Sequence, residues 1–402
     1  MKKQLLELLE SRPVQVIALA LGVLVNVATA GVTEKVIFPF NQTGGSQPLG
    51  GLVSDGAGNL YGTTSLGGLK NRNYAAGAVF ELSPASGGTW SETVIYEFRG
   101  GTEGQSPNGT LVFDKQGNIY GTAQHVLFEL TKGTNGTWSE NIIHRFDSNE
   151  GAPNGDLTWD SAGNLYGTTP QGGLDGEVFE LSPQPNGTWT EHILYSFPSS
   201  FGLGSPVAGV AFDSKGNLYG AAGGSSNGLG GIYQLSPQGN GEWTATAIYI
   251  FTGGSDGRFP NSRLVLDSNG NLFGTTTAPG EVFELSPFSG GTWKETTLHT
   301  FTAQSDGDYP QGALAFDSRG NLYGTTTFGG LGCNGGMCGI AYRLTPQAGG
   351  AWTETILHQF ESAGDGSQPQ AGMIVDNAGH LFGTTKYGGG RYGYGTVFEI
   401  SY

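Results

Sequence analysis

Arginine, lysine and tyrosine side chains gather in two short stretches of this sequence, and these residue types are well suited to binding. They are Lys70, Arg72 and Tyr74 in the first stretch, and Lys386, Tyr387, Arg391, Tyr392 and Tyr394 in the second. Arginine makes bidentate contacts with anionic groups, and tyrosine offers a flat face for stacking. In a chain with a formal net charge of −16, such a basic and aromatic patch predicts an anionic polymer as ligand. The alternative is a pair of solvated, glycine-rich loops with scattered charges.

The histidines do not form a catalytic or metal-binding pattern. Three of the six, His144, His299 and His358, stand two residues before a phenylalanine, where equivalent segments carry phenylalanine or tyrosine. We therefore interpret them as substitutes for a packed aromatic ring. The sequence shows neither a Ser-His-Asp arrangement nor a pair of histidines at metal-ligand spacing. We expect no catalytic residue, no metal ligand and no cofactor.

The two cysteines, Cys333 and Cys338, enclose a short segment of the chain, Asn-Gly-Gly-Met. In an exported protein this spacing predicts a local disulfide that restrains one loop. Phe328 lies shortly before the first cysteine and adds an aromatic side chain to the same loop.

These residues are embedded in a repeat that dominates the sequence. A phrase close to Asp-x-x-Gly-Asn-Leu-Tyr-Gly-Thr-Thr occurs seven times, with its aspartate at Asp55, Asp114, Asp160, Asp213, Asp267, Asp317 and Asp376. A short apolar stretch precedes each phrase, and segments related to Val-Phe-Glu-Leu and Trp-x-Glu-x-x-Ile-x-x-Phe follow it. This pattern predicts four strands, a to d, with a tight a–b hairpin formed by the aspartate and the glycine three residues later. Seven such units predict an all-β, seven-bladed β-propeller with four antiparallel strands per blade.

The two ends of the chain are predicted to complete the seventh blade. Residues 34–40 match a d strand, and the chain finishes with a c strand from Val397 to Ile400. Pairing of the N-terminal strand 34–40 with the C-terminal blade would close the ring. Residues 31–402 are therefore expected to form a single propeller domain.

Differences in length between the repeats are concentrated in the b–c connections. In antiparallel blades the b–c and d–a connections emerge on one face, and insertions on one face are typical of a binding surface. The long b–c loops belong to blades 6, 7 and 1, which become neighbours when the ring closes. We call their basic and aromatic residues the crescent: Lys70, Arg72, Tyr74, Phe328, Lys386, Tyr387, Arg391, Tyr392 and Tyr394.

Carboxylates follow the repeat as well. Glutamates recur on strands c and d, and groups repeated around a ring are poor candidates for an acid/base pair, which needs two different environments. A further set precedes a proline in the d–a loops: Glu103, Glu150, Asp256, Asp306 and Asp365. We expect these carboxylates on the variable face near the mouth of the channel. They either form turns or bind a cation such as Ca²⁺.

The N-terminus predicts export. Lys2, Lys3 and Arg12 precede an apolar run from Val14 to Val27, and Ala28-Thr29-Ala30 follows as a cleavage site. Residues 1–30 therefore match a signal peptide whose apolar core is short for a membrane span. An uncleaved anchor is the alternative. The acidic composition argues against a nucleic-acid partner, because phosphate binding requires a basic surface.

The repeated Asp-Ser-x-Gly-Asn-Leu-Tyr-Gly-Thr-Thr and Val-Phe-Glu-Leu phrases resemble the GloVer tandem-repeat family of exported bacterial proteins, over residues 34–402. Gly-Asn-Leu-Tyr is also similar to phrases in NHL-type and regulator-type propeller repeats. The resemblance implies export and a propeller fold. It supplies no catalytic residues.

We expect a secreted, monomeric propeller that binds through its b–c loops without catalysis, with a polysaccharide or protein of the cell envelope or extracellular matrix as partner. The alternative is a carbohydrate-active enzyme on the same scaffold, a polysaccharide lyase or a glycoside hydrolase. Tyr387, Tyr392 and Tyr394 would then be the catalytic candidates, with Arg391 neutralising charge. A third interpretation is a purely structural envelope component.

Overall fold

The computed structural model describes residues 31–68, 76–225, 228–333, 335–362 and 364–402. The predicted signal peptide, residues 1–30, lies outside the described residues. None of the helices in the described ranges has the length and apolar character needed to cross a membrane.

Short strands make up most of the regular structure in the described ranges. They are β1 (Thr33–Pro39), β2 (Val53–Ser54), β3 (Leu60–Thr64), β4 (Ala78–Ala85), β5 (Thr89–Glu97), β6 (Val112–Phe113), β7 (Ile119–Ala123), β8 (Val126–Lys132), β9 (Trp138–Arg145), β10 (Thr158–Trp159), β11 (Leu165–Thr169), β12 (Glu177–Pro183), β13 (Trp189–Ser196), β14 (Leu203–Phe212), β15 (Leu218–Ser225), β16 (Gly231–Pro237), β17 (Trp243–Ile250), β18 (Val265–Leu266), β19 (Leu272–Thr277), β20 (Gly280–Pro287), β21 (Trp293–Thr300), β22 (Ala315–Phe316), β23 (Leu322–Thr326), β24 (Ile340–Pro346), β25 (Trp352–Gln359), β26 (Ile374–Val375), β27 (Leu381–Thr385) and β28 (Thr396–Ser401). The helical segments are single 3₁₀ turns at Ser86–Gly88, Gly101–Glu103, Ser199–Phe201 and Ser289–Gly291.

The strands form seven antiparallel sheets of four strands each, which confirms the predicted seven-bladed propeller. Blades 1 to 6 are β2–β5, β6–β9, β10–β13, β14–β17, β18–β21 and β22–β25, in the order a, b, c, d. Blade 7 has the order β26-β27-β28-β1, so the N-terminal strand supplies its d strand as predicted. In that pairing Glu34 lies opposite Ile400 and Val36 lies opposite Phe398.

The a–b hairpins show why the repeated phrase begins with aspartate. In blade 1, Asp55 Oδ1 accepts hydrogen bonds from the backbone N–H groups of Ala57 and Asn59, both at 2.9 Å. Its Oδ2 accepts from the Asn59 side chain at 2.8 Å. Gly58 takes a left-handed φ of 89°, which glycine adopts without steric cost.

The hydrophobic core lies between blades rather than in one central cluster. Seven clusters of buried side chains each join two neighbouring blades, so the ring is held together at every junction. The second glycine of the repeated phrase serves this packing. A Cβ on Gly62 would lie 2.6 Å from the ring of Phe80, so strand b leaves room for an aromatic side chain of strand c.

The b–c and d–a connections lie on one face of the ring. Isolated bridges join the two kinds of loop, with Ser46 opposite Leu66, Asp308 opposite Phe328, and Ser367 opposite Tyr387. The crescent loops are therefore braced by the d–a loops next to them.

Candidate functional site

The blade 7 loop between β27 and β28 brings the second half of the crescent together. The rings of Tyr392 and Tyr394 stack with centroids 5.8 Å apart and an angle of 24° between their planes. The Arg391 guanidinium lies 5.7 Å from the centre of the Tyr392 ring, and Lys386 Nζ lies 5.1 Å from that of Tyr387. Tyr392 remains 68% exposed. This loop therefore offers a tyrosine stack beside two cations.

The blade 6 loop between β23 and β24 lies next along the ring. Cys333 and Cys338 form the predicted disulfide, with their Cα atoms 6.0 Å apart. Phe328 packs against Tyr309 of the adjoining d–a loop, with ring centroids 5.8 Å apart. Leu331 is 69% exposed in the same loop. The remaining crescent residues, Lys70, Arg72 and Tyr74 of blade 1, lie outside the described residues.

The central channel is a second polar site, which was not predicted from the sequence. A cavity of about 230 Å³ is lined by residues of all seven blades, which precede strand a in six blades and lie within it, at Ala208 of β14, in blade 4. Five blades place an amide directly after the proline of the d–a loop: Asn108, Asn154, Asn261, Gln311 and Gln370. Some of these amides contact each other across blades, for example Asn108 Nδ2 with Asn154 Oδ1 at 3.3 Å. An amide after five of the seven loop prolines is a signal that the sequence already contained.

Two charged residues interrupt the neutral lining of this channel. Asp156 of blade 3 and Arg263 of blade 5 occupy the same position of the repeat, where the other blades have glycine, alanine or threonine. Asp156 Oδ1 accepts a hydrogen bond from the Thr110 backbone N–H at 2.8 Å. Arg263 Nε is buried and makes no hydrogen bond within the described residues. The channel thus holds one carboxylate and one guanidinium that the repeat does not explain.

The carboxylates of the d–a loops do not line the channel, contrary to the sequence-based expectation. They lie at the periphery, against the d strand of their own blade and that of the next blade. Tyr96 shows the arrangement: its hydroxyl group lies 3.3 Å from Glu103 Oε2 and 2.6 Å from Glu140 Oε2 of blade 2. The position is peripheral because strand d is the outermost strand of each sheet. The same carboxylates accept backbone hydrogen bonds within their own loops, as Asp256 Oδ2 does from the Thr252 N–H at 2.8 Å, in agreement with the predicted turn role.

Histidine takes the place of that tyrosine at three blade junctions. The His144 ring packs on Phe146 with centroids 4.5 Å apart, close to the 5.0 Å between Tyr96 and Phe98, as expected for an aromatic substitute. Each histidine also faces a d–a carboxylate and the d-strand glutamate of the next blade. The three groups are His144 with Glu150 and Glu191, His299 with Asp306 and Glu354, and His358 with Asp365 and Glu34.

Burial sets the protonation of the glutamates at these junctions. It raises the pKa of Glu354 to about 8, with repulsion from Asp306 adding to the effect. It raises the pKa of Glu92, at the junction of blades 7 and 1, to about 7. The carboxylates repeated along strand d are thus desolvated groups rather than surface charges, which their periodicity alone did not reveal.

Glu281 is a further buried acid, and it was not predicted from the sequence. It lies on strand c of blade 5 and is completely buried. The Thr300 hydroxyl donates a hydrogen bond to its Oε1 at 3.2 Å, while Oε2 has no partner within the described residues. Desolvation raises its pKa from 4.5 to about 7, and the nearby carboxylates Glu295 and Asp256 contribute in the same direction.

Comparison with protein families assigns the repeat. A family model described as the Gloeobacter/Verrucomicrobia repeat matches residues 18–202, 125–337 and 174–398, which together span most of the chain. The chain belongs to this family. A search of curated protein sequences found no match to this repeat protein.

Solved structures similar to this repeat protein are also propellers. A catalytically inactive virginiamycin B lyase from Staphylococcus aureus, determined with quinupristin, aligns with a TM-score of 0.59 at 15% identity, over 92% of this chain and 99% of the lyase. A protein from Lactobacillus plantarum aligns with a TM-score of 0.54 at 14% identity, over 76% and 83% of the two chains. PorZ, a surface component of the type-IX secretion system of Porphyromonas gingivalis, aligns with a TM-score of 0.50 at 16% identity, over 87% of this chain and 46% of PorZ. At these identities the likeness concerns the fold alone.

Proposed function

We propose that this repeat protein is an extracytoplasmic propeller that binds an acidic polysaccharide through the face formed by its b–c and d–a loops, without catalysis. The observation that carries this proposal is the blade 7 loop, where the stacked Tyr392 and Tyr394 lie beside Arg391 and Lys386. A sugar ring stacks on an exposed aromatic face, and a carboxylate on that sugar pairs with the neighbouring cation.

The charges on this loop support an anionic ligand. Neither Lys386 nor Arg391 forms an ion pair with a carboxylate among the described residues. In a chain with 34 acidic and 18 basic residues, two cations without such a partner on one loop form a local basic site. Because both lie near the surface, their attraction for a ligand should weaken as salt is added.

Blades 6 and 7 together extend the proposed surface. The disulfide restrains the blade 6 loop, which lowers the conformational entropy lost when a ligand orders it. Phe328, Tyr309 and Leu331 add apolar area on the blade 6 loop and on the d–a loop that adjoins it. A polymer longer than one sugar unit could contact both loops.

A binding assay with matched variants tests the proposal. The purified protein is titrated with polygalacturonate and with the neutral polysaccharide pullulan, and we expect binding to the first only. A K386A/R391A double variant should bind about tenfold more weakly or worse, since hydrogen bonds to charged groups contribute about 1.5–3 kcal/mol. A K215A/R319A variant removes two exposed cations from a–b hairpins on the opposite face and should bind like the parent. Equal affinities in the two double variants would refute the proposed surface.

Catalysis is the second candidate function, and Asp156 is the observation that favours it. Asp156 is an acid in the channel wall that the other blades do not repeat, and Arg263 supplies a cation in the same cavity. An enzyme acting there should release products from a bound polysaccharide. D156N should abolish this release but should keep the polysaccharide binding that the K386A/R391A variant weakens. Chromatography of polygalacturonate after incubation with each protein measures both the reaction and its dependence on Asp156.

A further inference from the structure

Clusters of two carboxylates and one aromatic side chain recur between blades at the periphery of the ring. Three positions meet at each junction. The first is the residue two before the phenylalanine that follows strand d, and the second lies in the next d–a loop. The third is the glutamate position on strand d of the next blade. Two carboxylates occupy the last two positions at five junctions. At all five the first residue is histidine or tyrosine: Tyr96, His144, Tyr249, His299 and His358.

The tyrosines lie within hydrogen-bond distance of a carboxylate, whereas His144 lies farther from both of its carboxylates. Tyr96 lies within hydrogen-bond distance of Glu140, and the Tyr249 hydroxyl donates to Asp256 Oδ2 at 3.0 Å. His144 Nε2 is instead 3.4 Å from Glu150 Oε2 and 3.5 Å from Glu191 Oε1. These distances are longer than an ordinary N–H···O hydrogen bond.

Buried imidazole nitrogens without partners distinguish two of the three histidine junctions. Nε2 of His144 and Oε1 of Glu191 are buried and make no hydrogen bond within the described residues. Nε2 of His299 is likewise buried without a partner at the junction of blades 5 and 6, where Oε2 of Glu354 is the oxygen that faces it, 3.7 Å away. Glu34, Glu92 and Glu140 also have a buried Oε1 without a partner in the described part of the chain, so the unpartnered imidazole nitrogen is what distinguishes these two junctions. Leaving that nitrogen unpaired beside two carboxylates is costly, which indicates a shared binding partner.

The distances between the histidine nitrogen and the carboxylate oxygens fit ligands of one metal ion better than a direct hydrogen bond. Ligands about 2.0–2.1 Å from a tetrahedral Zn²⁺ are about 3.3 Å from each other. The His144 distances of 3.4 and 3.5 Å are close to this value, and His299 Nε2 lies 3.8 Å from Asp306 Oδ2 and 3.7 Å from Glu354 Oε2. Within each group the three ligand atoms lie within 4.8 Å of one another.

We propose that the protein binds a first-row transition metal ion of the Zn²⁺ type at two blade junctions. The ligands are His144, Glu150 and Glu191 between blades 2 and 3, and His299, Asp306 and Glu354 between blades 5 and 6. Imidazole with two carboxylates suits Zn²⁺, whereas Ca²⁺ takes six to eight oxygen ligands. Three protein ligands leave the fourth position for water or for an anionic group of another molecule. Because each set comes from two blades, the ion ties neighbouring blades together.

The third histidine junction supplies an internal control. His358 Nε2 lies 2.8 Å from Asp365 Oδ2, which is a direct hydrogen bond, so this histidine already has a partner. His358 occupies the same position of the repeat as His144 and His299 and faces the same kinds of side chains. A metal ion would have to break that hydrogen bond, so we assign the tight sites to the other two junctions.

Histidine-to-tyrosine variants test the proposal without removing the packed ring. The untagged protein is stripped with EDTA, desalted and titrated with ZnCl₂ by calorimetry, and bound zinc is counted by mass spectrometry. We expect two tightly bound ions per chain, unaffected by excess Ca²⁺. H144Y and H299Y should each lose one ion, the double variant should lose both, and H358Y should retain both. Tyr96 and Tyr249 already fill this slot in blades 1 and 4, so the variants should fold, and circular dichroism in EDTA checks this.

Thermal unfolding gives an independent readout. Zinc should raise the melting temperature of the parent and of H358Y, because an ion that binds only the folded state stabilises it. It should leave the H144Y/H299Y variant unchanged. The proposal is overturned if the parent binds no zinc, or if the H144Y/H299Y variant binds as much zinc as the parent.

Discussion

Closure of the ring by the N-terminal strand is open to a direct energetic test. Strand β1 is the only part of blade 7 that is distant in sequence from the rest of that blade among the described residues. Ile37 in this strand and Phe40, the residue after it, are buried against their neighbours. The Phe40 ring packs on Phe80 of blade 1 with centroids 5.0 Å apart. Replacing both side chains with alanine, I37A/F40A, removes this packing and leaves the backbone pairing of β1 with β28 in place.

The expected loss follows from the burial of the two side chains. Ile37 and Phe40 are 7% and 4% exposed, and replacing buried residues of these types by alanine costs about 2–5 and 3–5 kcal/mol. The sum is roughly 5–10 kcal/mol. An unfolding entropy of about 2.1 cal/mol/K per residue gives roughly 0.8 kcal/mol/K for a propeller of this length. The melting temperature should therefore fall by about 6–12 °C.

Calorimetry of matched variants distinguishes a closed ring from a loosely attached end. Ile95 and Phe98 are the equivalent residues of blade 1, 8% and 0% exposed, within a blade continuous in sequence. The I95A/F98A variant should melt at a similarly reduced temperature. If β1 were a frayed terminal segment, I37A/F40A would melt within about 1 °C of the parent while I95A/F98A fell. That outcome would refute the closure argument.

Two further predictions concern buried groups. Glu281 binds its proton more tightly in the folded state, with a pKa of about 7, than in the unfolded state, with 4.5. Its contribution to stability is therefore fully present below about pH 4.5 and lost as the pH rises through 7, by at most roughly 3 kcal/mol. In urea denaturation with EDTA present, E281Q should match the parent at pH 4.5 and exceed it at pH 8; equal pH dependence would contradict this assignment. G62A should lower the free energy of unfolding by about 1–3 kcal/mol, because its Cβ meets the Phe80 ring at 2.6 Å. G56A, whose Cβ meets nothing within 4 Å, should unfold like the parent.

The repeat made the scaffold predictable from sequence. The aspartate of each phrase fixes its hairpin through contacts within four residues, so the a–b turn of Asp55 needs no distant partner. Strand order within a blade follows from short connections, and the missing d strand of blade 7 follows from comparing the chain ends. The disulfide was predictable because Cys333 and Cys338 are the only two cysteines and lie close together.

The candidate sites were predictable only in part. The blade 7 loop holds Arg391 and Tyr392 together because they are adjacent in sequence, and its stacking on Tyr394 is local. The amides around the channel are also visible in the sequence, once the residue after each loop proline is compared between blades. Their convergence on one cavity requires the ring, since each blade contributes its innermost edge.

The number of blades, the strands, the hairpins and the loops in which the repeats diverge can all be read from the sequence, because local periodicity encodes each of these features. Which groups face each other across blades depends on how the ring closes. His144 and Glu191 are 47 positions apart along the chain, yet their ligand atoms lie 3.5 Å apart, because neighbouring d strands run side by side at the rim. Because these residues recur at equivalent positions, they resemble structural residues in the sequence. Burial between two blades places them beside each other and away from solvent.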